Sequence, residues 1–334
     1  MKFLVVGLGS MGKRRIRNLK CLKEHNIIGF DSREDRRLEA EKLYGLKIFD
    51  SIEDAFEDNP DAIIVSTSPG YHKQFVVAAI RRYKPVFTEL NIIDDSLNQI
   101  SKMSKKNNVL VVPSTTPRHY FAIKKIKELI GSKKMGNIVT LQYHVGQYLP
   151  DWHPWEHYKD FFVSNKNTHG CREIMAFELN WLTWVFGDIA SVYSDAEKRS
   201  GLEIGSSDHY HSLFRFKNGI ICNILVDIVS RFPERRLTII GDKATIIWDR
   251  NIRALKIYEA DSKSWTKIKD ENGTYEKGYI NNEEPYIEEI KEFIDFIKLR
   301  KHPKYSVQDE LKVVRVLDAV EESVKRKSIV SIKW

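Results

Sequence analysis

Short β-branched runs alternate with charged segments of helical length through the first 120 residues. Phe3 to Val6, Ile27 to Phe30, Ala62 to Ser66, Val86-Phe87 and Val109 to Val112 read as strands. Between them, Arg14 to Glu24, Arg36 to Tyr44, Lys73 to Arg82 and Leu97 to Lys105 carry apolar residues three and four apart, the spacing of one helix face. This alternation predicts βαβ units and a doubly wound parallel sheet. From Ile138 the texture changes to alternating strands at Ile138 to Tyr143, Ser212 to Phe216, Ile220 to Val226, Arg236 to Ile240, Thr245 to Trp248 and Leu255 to Tyr258. Turn signals at Lys217-Asn218-Gly219 and Gly241-Asp242 join them, so the second sheet is expected to be mostly antiparallel. Helical spacing returns at Pro285 to Leu299 and Gln308 to Lys325, while the charged stretch Asp261 to Lys277 reads as a solvated hairpin or loop. The expected fold class is therefore an N-terminal α/β domain over residues 1–120, then an α+β domain over 121–334 with a large antiparallel sheet and flanking helices.

Composition narrows the class. At 334 residues and 42% hydrophobic, the chain can bury more than one core and is neither disordered nor fibrous. Its 54 Lys+Arg against 46 Asp+Glu give a net charge of +8, spread along the chain. That excess is either a solvated surface or the counterpart of an anionic partner. No aromatic–basic stacking platform, zinc finger, RRM or basic zipper is present, so a phosphorylated or carboxylated small molecule is favoured over nucleic acid. No run reaches the roughly 18 uncharged apolar residues of a membrane span. The opening Met1 to Val6 meets Gly7 and Gly9 and then Lys13-Arg14-Arg15, which suits a strand better than a signal peptide. Cys21, Cys171 and Cys222 form no close pair, consistent with the cytoplasm and with no disulfide or metal site.

Gly7-Leu8-Gly9-Ser10-Met11-Gly12 is a GxGxxG run between a strand and a helix. Glycines there allow a tight turn and close approach of a pyrophosphate to the free N–H groups of a helix start. Asp31 ends the second strand, 19 residues past Gly12, where a carboxylate can accept hydrogen bonds from an adenosine ribose. It would repel the 2′-phosphate of NADP, so NAD is expected; Ser32 and Arg33 adjoin it, and Arg33 with Lys13 to Arg15 leaves NADP as the lesser alternative. Ser66, Thr67, Ser68 and His72 follow another strand at its carboxyl end, the crevice side of such sheets. They either line the dinucleotide or serve only the turn.

With these residues placed, the chain resembles the Gfo/Idh/MocA family of NAD(P)-dependent sugar and cyclitol oxidoreductases over nearly its whole length. The matching signs are Gly7 to Gly12, Asp31, the Ser-Pro-x-x-His run ending at His72, Lys84-Pro85-Val86 with Glu89, Arg118, and Leu149-Pro150-Asp151-Trp152. A helix closing on Phe186-Gly187, Asp208, Asp227, and the Gly241 turn before Trp248-Asp249 complete them. The resemblance implies a Rossmann domain, a C-terminal sheet that covers the nicotinamide, Glu89 at the cofactor, and a homodimer or homotetramer. It also implies departures. Where the family reads Glu-Lys-Pro, this sequence has Glu89-Leu90-Asn91; where it places an acid/base histidine and a second aspartate, Phe177 and Asn180 stand, with Glu173 keeping a carboxylate.

Oxidising an alcohol by hydride loss leaves a proton that some base must accept, and neither Leu90 nor Phe177 titrates. The candidate replacements are Glu173, Tyr120, His119, Tyr148, His153, His157 and His169; Glu173 and Tyr120 are the expected catalytic residues. Arg118, Tyr148, Trp152 and Asn180 are expected to bind substrate, and Arg172, Arg231 and Arg235 could join Arg118 in clamping an acidic one. The segment Trp152 to His157 reads as a polar lid over the substrate rather than a metal site, because Pro154 interrupts a helical His-x-x-x-His spacing. Tyr148 to Trp152 looks like the subgroup tied to surface-glycan and nonulosonic-acid biosynthesis. The expected activity is oxidoreduction of a sugar, amino sugar or nucleotide sugar. An NAD-binding partner subunit or sensor without turnover, or an enzyme that recycles bound NAD during elimination or hydrolysis, is the alternative.

Overall fold

The computed structural model describes residues 1–91, 93, 97–153, 156–160, 162–164, 166, 168–270, 273–277, 279 and 281–334. Pro154 and Trp155 of the expected lid, and residues 271 and 272 of the charged stretch, lie outside the described residues. Contacts divide the chain into two units, Met1–Thr116 with Asn281–Leu311, and Pro117–Ile280 with Lys312–Trp334.

In the first unit the elements run β1 (Phe3–Val6), α1 (Ser10–Cys21), β2 (Ile27–Phe30), α2 (Glu34–Tyr44), β3 (Lys47–Phe49), α3 (Ile52–Glu57), β4 (Ala62–Val65), α4 (His72–Arg81), β5 (Val86–Thr88), α5 (Leu97–Asn107) and β6 (Val111–Pro113). All described strand pairs are parallel, in the order β3-β2-β1-β4-β5-β6. The chain reverses its direction of travel across the sheet between β1 and β4, which opens a crevice at their carboxyl ends. The central strands are buried throughout, as β1, β2 and β4 show, and this is why they read as continuous apolar runs rather than alternating ones.

The second unit contains α6 (Phe121–Gly131), β7 (Ile138–Gly146), α7 (Gly170–Phe186), β8 (Ile189–Glu197), β9 (His209–Phe216), β10 (Ile221–Asp227), β11 (Glu234–Gly241), β12 (Ala244–Asp249), β13 (Ala254–Glu259) and β14 (Ser264–Lys269). After these the chain passes through α8 (Glu284–Leu299), which belongs to the first unit, and α9 (Val307–Arg326), which begins there, before β15 (Val330–Ser331) of the second. The nine-stranded sheet has the order β14-β13-β12-β11-β7-β10-β9-β8-β15. Every described pair is antiparallel except β7 with β10, which run parallel at its centre. The first part of the charged stretch supplies the turn and β14 of the β13–β14 hairpin, with Leu255 opposite Ile268 and Glu259 opposite Ser264.

The expected second domain of 121–334 needs one correction. Ile290, Phe293 and Ile294 of α8 belong to the same core as Phe3, Ile16 and Leu19, and the Phe293 ring lies 5.8 Å from Phe87. A six-stranded sheet must cover its apolar face, and the chain returns to do so after the first eight strands of its second sheet, before β15.

Candidate functional site

In the first unit the site is built where β1 meets β4. Gly7 has φ +90°, and a Cβ on it would sit 2.8 Å from the Ser66 carbonyl carbon and 2.9 Å from Thr67 N. The two loops therefore touch backbone to backbone, which only glycine permits. A Cβ on Gly12 would fall 1.8 Å from Gly7 O, so α1 can start against the turn only without a side chain there. Asp31, buried at 6% exposure, accepts the Leu8 N–H at 2.7 Å through Oδ2 and the Arg33 N–H at 2.9 Å through Oδ1. The carboxylate that the sequence assigned to a ribose thus also fixes the glycine turn. Arg36 Nη1 stands 3.9 Å from Asp31 Oδ2 and would lie 3.2 Å from a Cβ on Gly9, placing a cation beside the turn. Arg33, the residue that kept NADP open, pairs at the surface with Asp35.

Beneath the turn lies a network of buried charges. Arg15 donates from Nε and Nη2 to Glu89 at 2.6 and 2.9 Å, and its Nη2 lies 2.9 Å from Glu289 Oε2. Glu289 also accepts from the hydroxyls of Ser114 and Thr116 and from Thr115 N–H. Ser66 Oγ donates to Glu89 at 3.3 Å. The Glu89 carboxylate is therefore committed to α1. Thr67 Oγ1, at the crevice end of β4, is a buried atom with no hydrogen-bond partner among the described residues. A tight glycine turn, a helix start, a buried carboxylate after β2 and a hydroxyl unsatisfied among the described residues fit a dinucleotide. His72 contacts Asn91 and Thr67, and burial lowers its proton affinity. Ser68 lies half-buried just before a 3-10 turn over Pro69–Tyr71.

In the second unit α7 buries Met175, Leu179, Leu182 and Phe186 against the sheet and ends at Gly187, φ +95°. His169 caps its start, accepting Arg172 N–H, and its other ring nitrogen lies 3.2 Å from Glu321. Glu173 is half-buried in the first turn. One helical step on, the buried Glu178 accepts from Arg235 at 2.7 Å, Tyr143 OH at 2.5 Å and Trp181 Nε1 at 2.6 Å. Burial, together with Glu178, holds the Tyr143 phenol far above its ordinary value, so it remains a donor. Burial opposes the charge on Arg235, but Glu178 more than offsets this and keeps it ionised. Tyr143 and Tyr120 are also polar neighbours of Arg235, with the guanidinium 5.7 Å from the Tyr120 ring centre.

Arg118 and Asn180, both expected at the substrate, are brought together. Arg118 Nε donates to Asn180 Oδ1 at 2.9 Å and Nη2 to Asn180 O at 2.8 Å, while the buried Asn180 Nδ2 has no partner among the described residues. Tyr148 lies under Arg231 at 3.6 Å, and Trp152 Nε1 donates to Gln147 O. Of the arginines proposed as a clamp, Arg172 is paired with Asp318 and Arg235 with Glu178. His157 stacks on Tyr158, and His153 lies 4.0 Å from Glu156. Among the described residues no three His, Cys, Asp or Glu side chains converge in a group that could hold a metal, and no helix is long and apolar enough to cross a membrane.

Sequence reasoning overlooked Glu178, Glu289 and Glu310. Each lies on an apolar stripe, as Glu289 does between Tyr286 and Ile290, and Glu310 between Val307 and Leu311. A carboxylate on the buried face of a helix needs a partner, and that was the available signal.

Residues 1–126 match the family model described as "Oxidoreductase family, NAD-binding Rossmann fold", and residues 123–247 match that described as "GFO/IDH/MocA C-terminal domain". The chain is 24% identical over 348 aligned positions to myo-inositol 2-dehydrogenase of Thermotoga maritima, covering 100% of this chain and 99% of that one. Among solved structures, levoglucosan dehydrogenase in complex with NADH and levoglucosan superposes with a TM-score of 0.86 at 15% identity, over 100% of both chains. The WlbA dehydrogenase of Bordetella pertussis in complex with NADH and UDP-GlcNAcA superposes with a TM-score of 0.81 at 18% identity, over 100% of this chain and 99% of that one. At such identities the structures share a fold, and it is the parallel and antiparallel pair of sheets expected from the sequence.

Proposed function

Because the chain belongs to the Gfo/Idh/MocA family of oxidoreductases and carries its NAD-binding Rossmann domain, we propose that it oxidises or reduces a ring carbon of a sugar, amino sugar or nucleotide sugar, with Tyr120 moving the proton. NAD, when bound, supplies the hydride acceptor or donor. Gly7 and Gly12 permit the tight turn whose N–H groups would meet its pyrophosphate, Asp31 would accept from its ribose and disfavour NADP, and Thr67 Oγ1 would offer a hydroxyl with no other partner among the described residues.

The observation that carries the proton assignment is the chain Tyr120, Arg235, Glu178. Tyr120 stands beside Arg235, which orients its hydroxyl to take the proton that alcohol oxidation leaves or to return it on reduction. Glu178 keeps Arg235 oriented and charged. Asn180, gripped by Arg118, has Nδ2 left to donate to a substrate oxygen. Tyr148 and Trp152 present aromatic faces for a sugar, and Arg231 over Tyr148 favours one bearing a negative charge.

The experiment is a fluorescence titration with NADH and NADPH, followed by turnover on a panel of sugars, sugar phosphates and nucleotide sugars. NADH is expected to bind more tightly than NADPH, with Asp31→Ala narrowing the difference. Tyr120→Phe is expected to lower kcat by roughly 10²–10⁴-fold while leaving NADH affinity intact. A Tyr120→Phe variant as active as wild type transfers the proton role to Glu173. NADH binding with no turnover anywhere in the panel defeats the dehydrogenase reading and leaves a cofactor-bound partner subunit or sensor.

A further inference from the structure

Three side chains of the first unit form a buried circuit that the glycine turn does not require. His72 is 2% exposed, Asn91 6% and Glu310 fully buried. His72 Nε2 lies 2.8 Å from Thr67 O, and its Nδ1 lies 2.9 Å from Asn91 Oδ1. Asn91 donates its N–H to Glu310 Oε1 at 2.9 Å and its Nδ2 to Oε2 at 2.8 Å. Both atoms facing the imidazole are acceptors, so only a doubly protonated ring satisfies this arrangement, opposite an ionised Glu310.

A neutral ring keeps both contacts in one other way. Its Nε2–H donates to Thr67 O, and Asn91 turns its amide over so that NH2 donates to Nδ1. The Asn91 oxygen then faces Glu310 Oε2, and that contact holds only if Glu310 is protonated and donates. The Asn91 N–H to Oε1 bond serves both forms. Imidazolium with carboxylate, and imidazole with carboxylic acid, contain the same number of protons and the same net charge of zero.

We propose that His72, Asn91 and Glu310 form a relay that holds one shared proton, with Asn91 and Glu310 as positioning residues that set whether His72 Nε2 donates to the Thr67 carbonyl. The role rests on reading the loop from Ser66 to His72 as part of the cofactor site. Burial disfavours both charges, lowering the proton affinity of His72 and pushing Glu310 up to about 8. Glu89, itself held by Arg15, is the other charged group acting on His72, and it favours protonation without overcoming burial. The neutral pair is therefore the form at pH 7. Above about 8 Glu310 gives up its proton. Asn91 then returns its NH2 to the carboxylate and its oxygen to Nδ1, the ring moves its N–H from Nε2 to Nδ1, and the bond to Thr67 O is lost.

The test is ring-nitrogen NMR of the full chain labelled with 15N-histidine, read between pH 6 and 9.5 alongside NADH titrations. Wild-type His72 is expected as the Nε2–H tautomer at pH 7, changing to Nδ1–H with a midpoint near 8. NADH affinity should weaken by roughly 2–10-fold across the same interval, the effect of one lost hydrogen bond. In Glu310→Gln the amide donates permanently to Asn91, so the Nε2–H tautomer and the NADH affinity should stay flat with pH. Should that variant not fold, Asn91→Ser removes the relay and should abolish the tautomer change. A His72 that titrates to imidazolium identically in wild type and Glu310→Gln, or a wild-type tautomer indifferent to pH while NADH still binds, overturns the relay. Failure to bind NADH at any pH overturns the cofactor reading on which the positioning role depends.

Discussion

The two units bury glutamates in different company. In the second unit Glu178 meets one cation, Arg235, and two neutral donors, Tyr143 and Trp181. The first unit crowds Glu89 and Glu289 onto the single guanidinium of Arg15, making up the difference with serine and threonine hydroxyls and a backbone N–H. Among the described residues it leaves Glu310 with Asn91 as partner and no cation. A buried carboxylate can thus be settled by a counter-ion, by hydrogen-bond donors, or by a proton. The choice decides what the site can do: the counter-ion in the second unit sits next to a phenol, whereas the donors and the proton in the first unit fix loops at the carboxyl ends of β4, β5 and β6.

The sharpest break is Arg15→Ala, which leaves Glu89 and Glu289 without their shared cation. Removing one partner from a buried ionic set typically costs about 3–5 kcal/mol, so the urea midpoint should fall steeply and the α1 end of the nucleotide site should loosen. A loss below about 1 kcal/mol would mean that the hydroxyl donors alone hold both carboxylates. Intermediate in size is the pH dependence set by Glu310. Its proton is held more tightly folded than unfolded, so its contribution to stability is full below about 4.5, the ordinary value, and is lost as pH rises to about 8. The slope is at most about 1.4 kcal/mol per pH unit. Glu310→Gln should flatten the melting temperature over that range relative to wild type, and equal slopes would mean that the carboxyl is ionised in the fold. Smallest is Arg33→Ala. Its pair with Asp35 is exposed, and such pairs contribute about 0–1 kcal/mol, so the melting temperature should hardly move; a drop like that of Arg15→Ala would erase the distinction between surface and buried pairing.

The glycine turn was legible because its six residues are contiguous and each answers a local demand: positive φ at Gly7, a helix packed on Gly12. Asp31 was legible by its distance from them. The parallel sheet followed from strands apolar on both faces, and the antiparallel one from alternation. What escaped had weaker local signatures. β8 puts Ala196 and Ser194 on its buried face, so its alternation is faint, and β3 is a three-residue edge. The parallel pairing of β7 with β10 depends on which strands meet, a choice that the strands' own patterns do not contain. Arg235 was visible only as a basic residue among several, and its place beside Tyr120 arises when β11 pairs with β7 and brings it under α7. Glu89 illustrates the limit in the other direction. Its motif position suggested the cofactor, while the structure shows its carboxylate holding Arg15.

The return of α8 to the first core also has a consequence in time. A ribosome releases the six strands of the nucleotide sheet well before it has made Ile290, Phe293 and Ile294, which fill that sheet's core. The intervening stretch from residue 117 to 280 takes roughly ten to thirty seconds to synthesise. For that interval the nascent sheet has an apolar face uncovered, and the second unit, which awaits Lys312–Trp334, is completed later still.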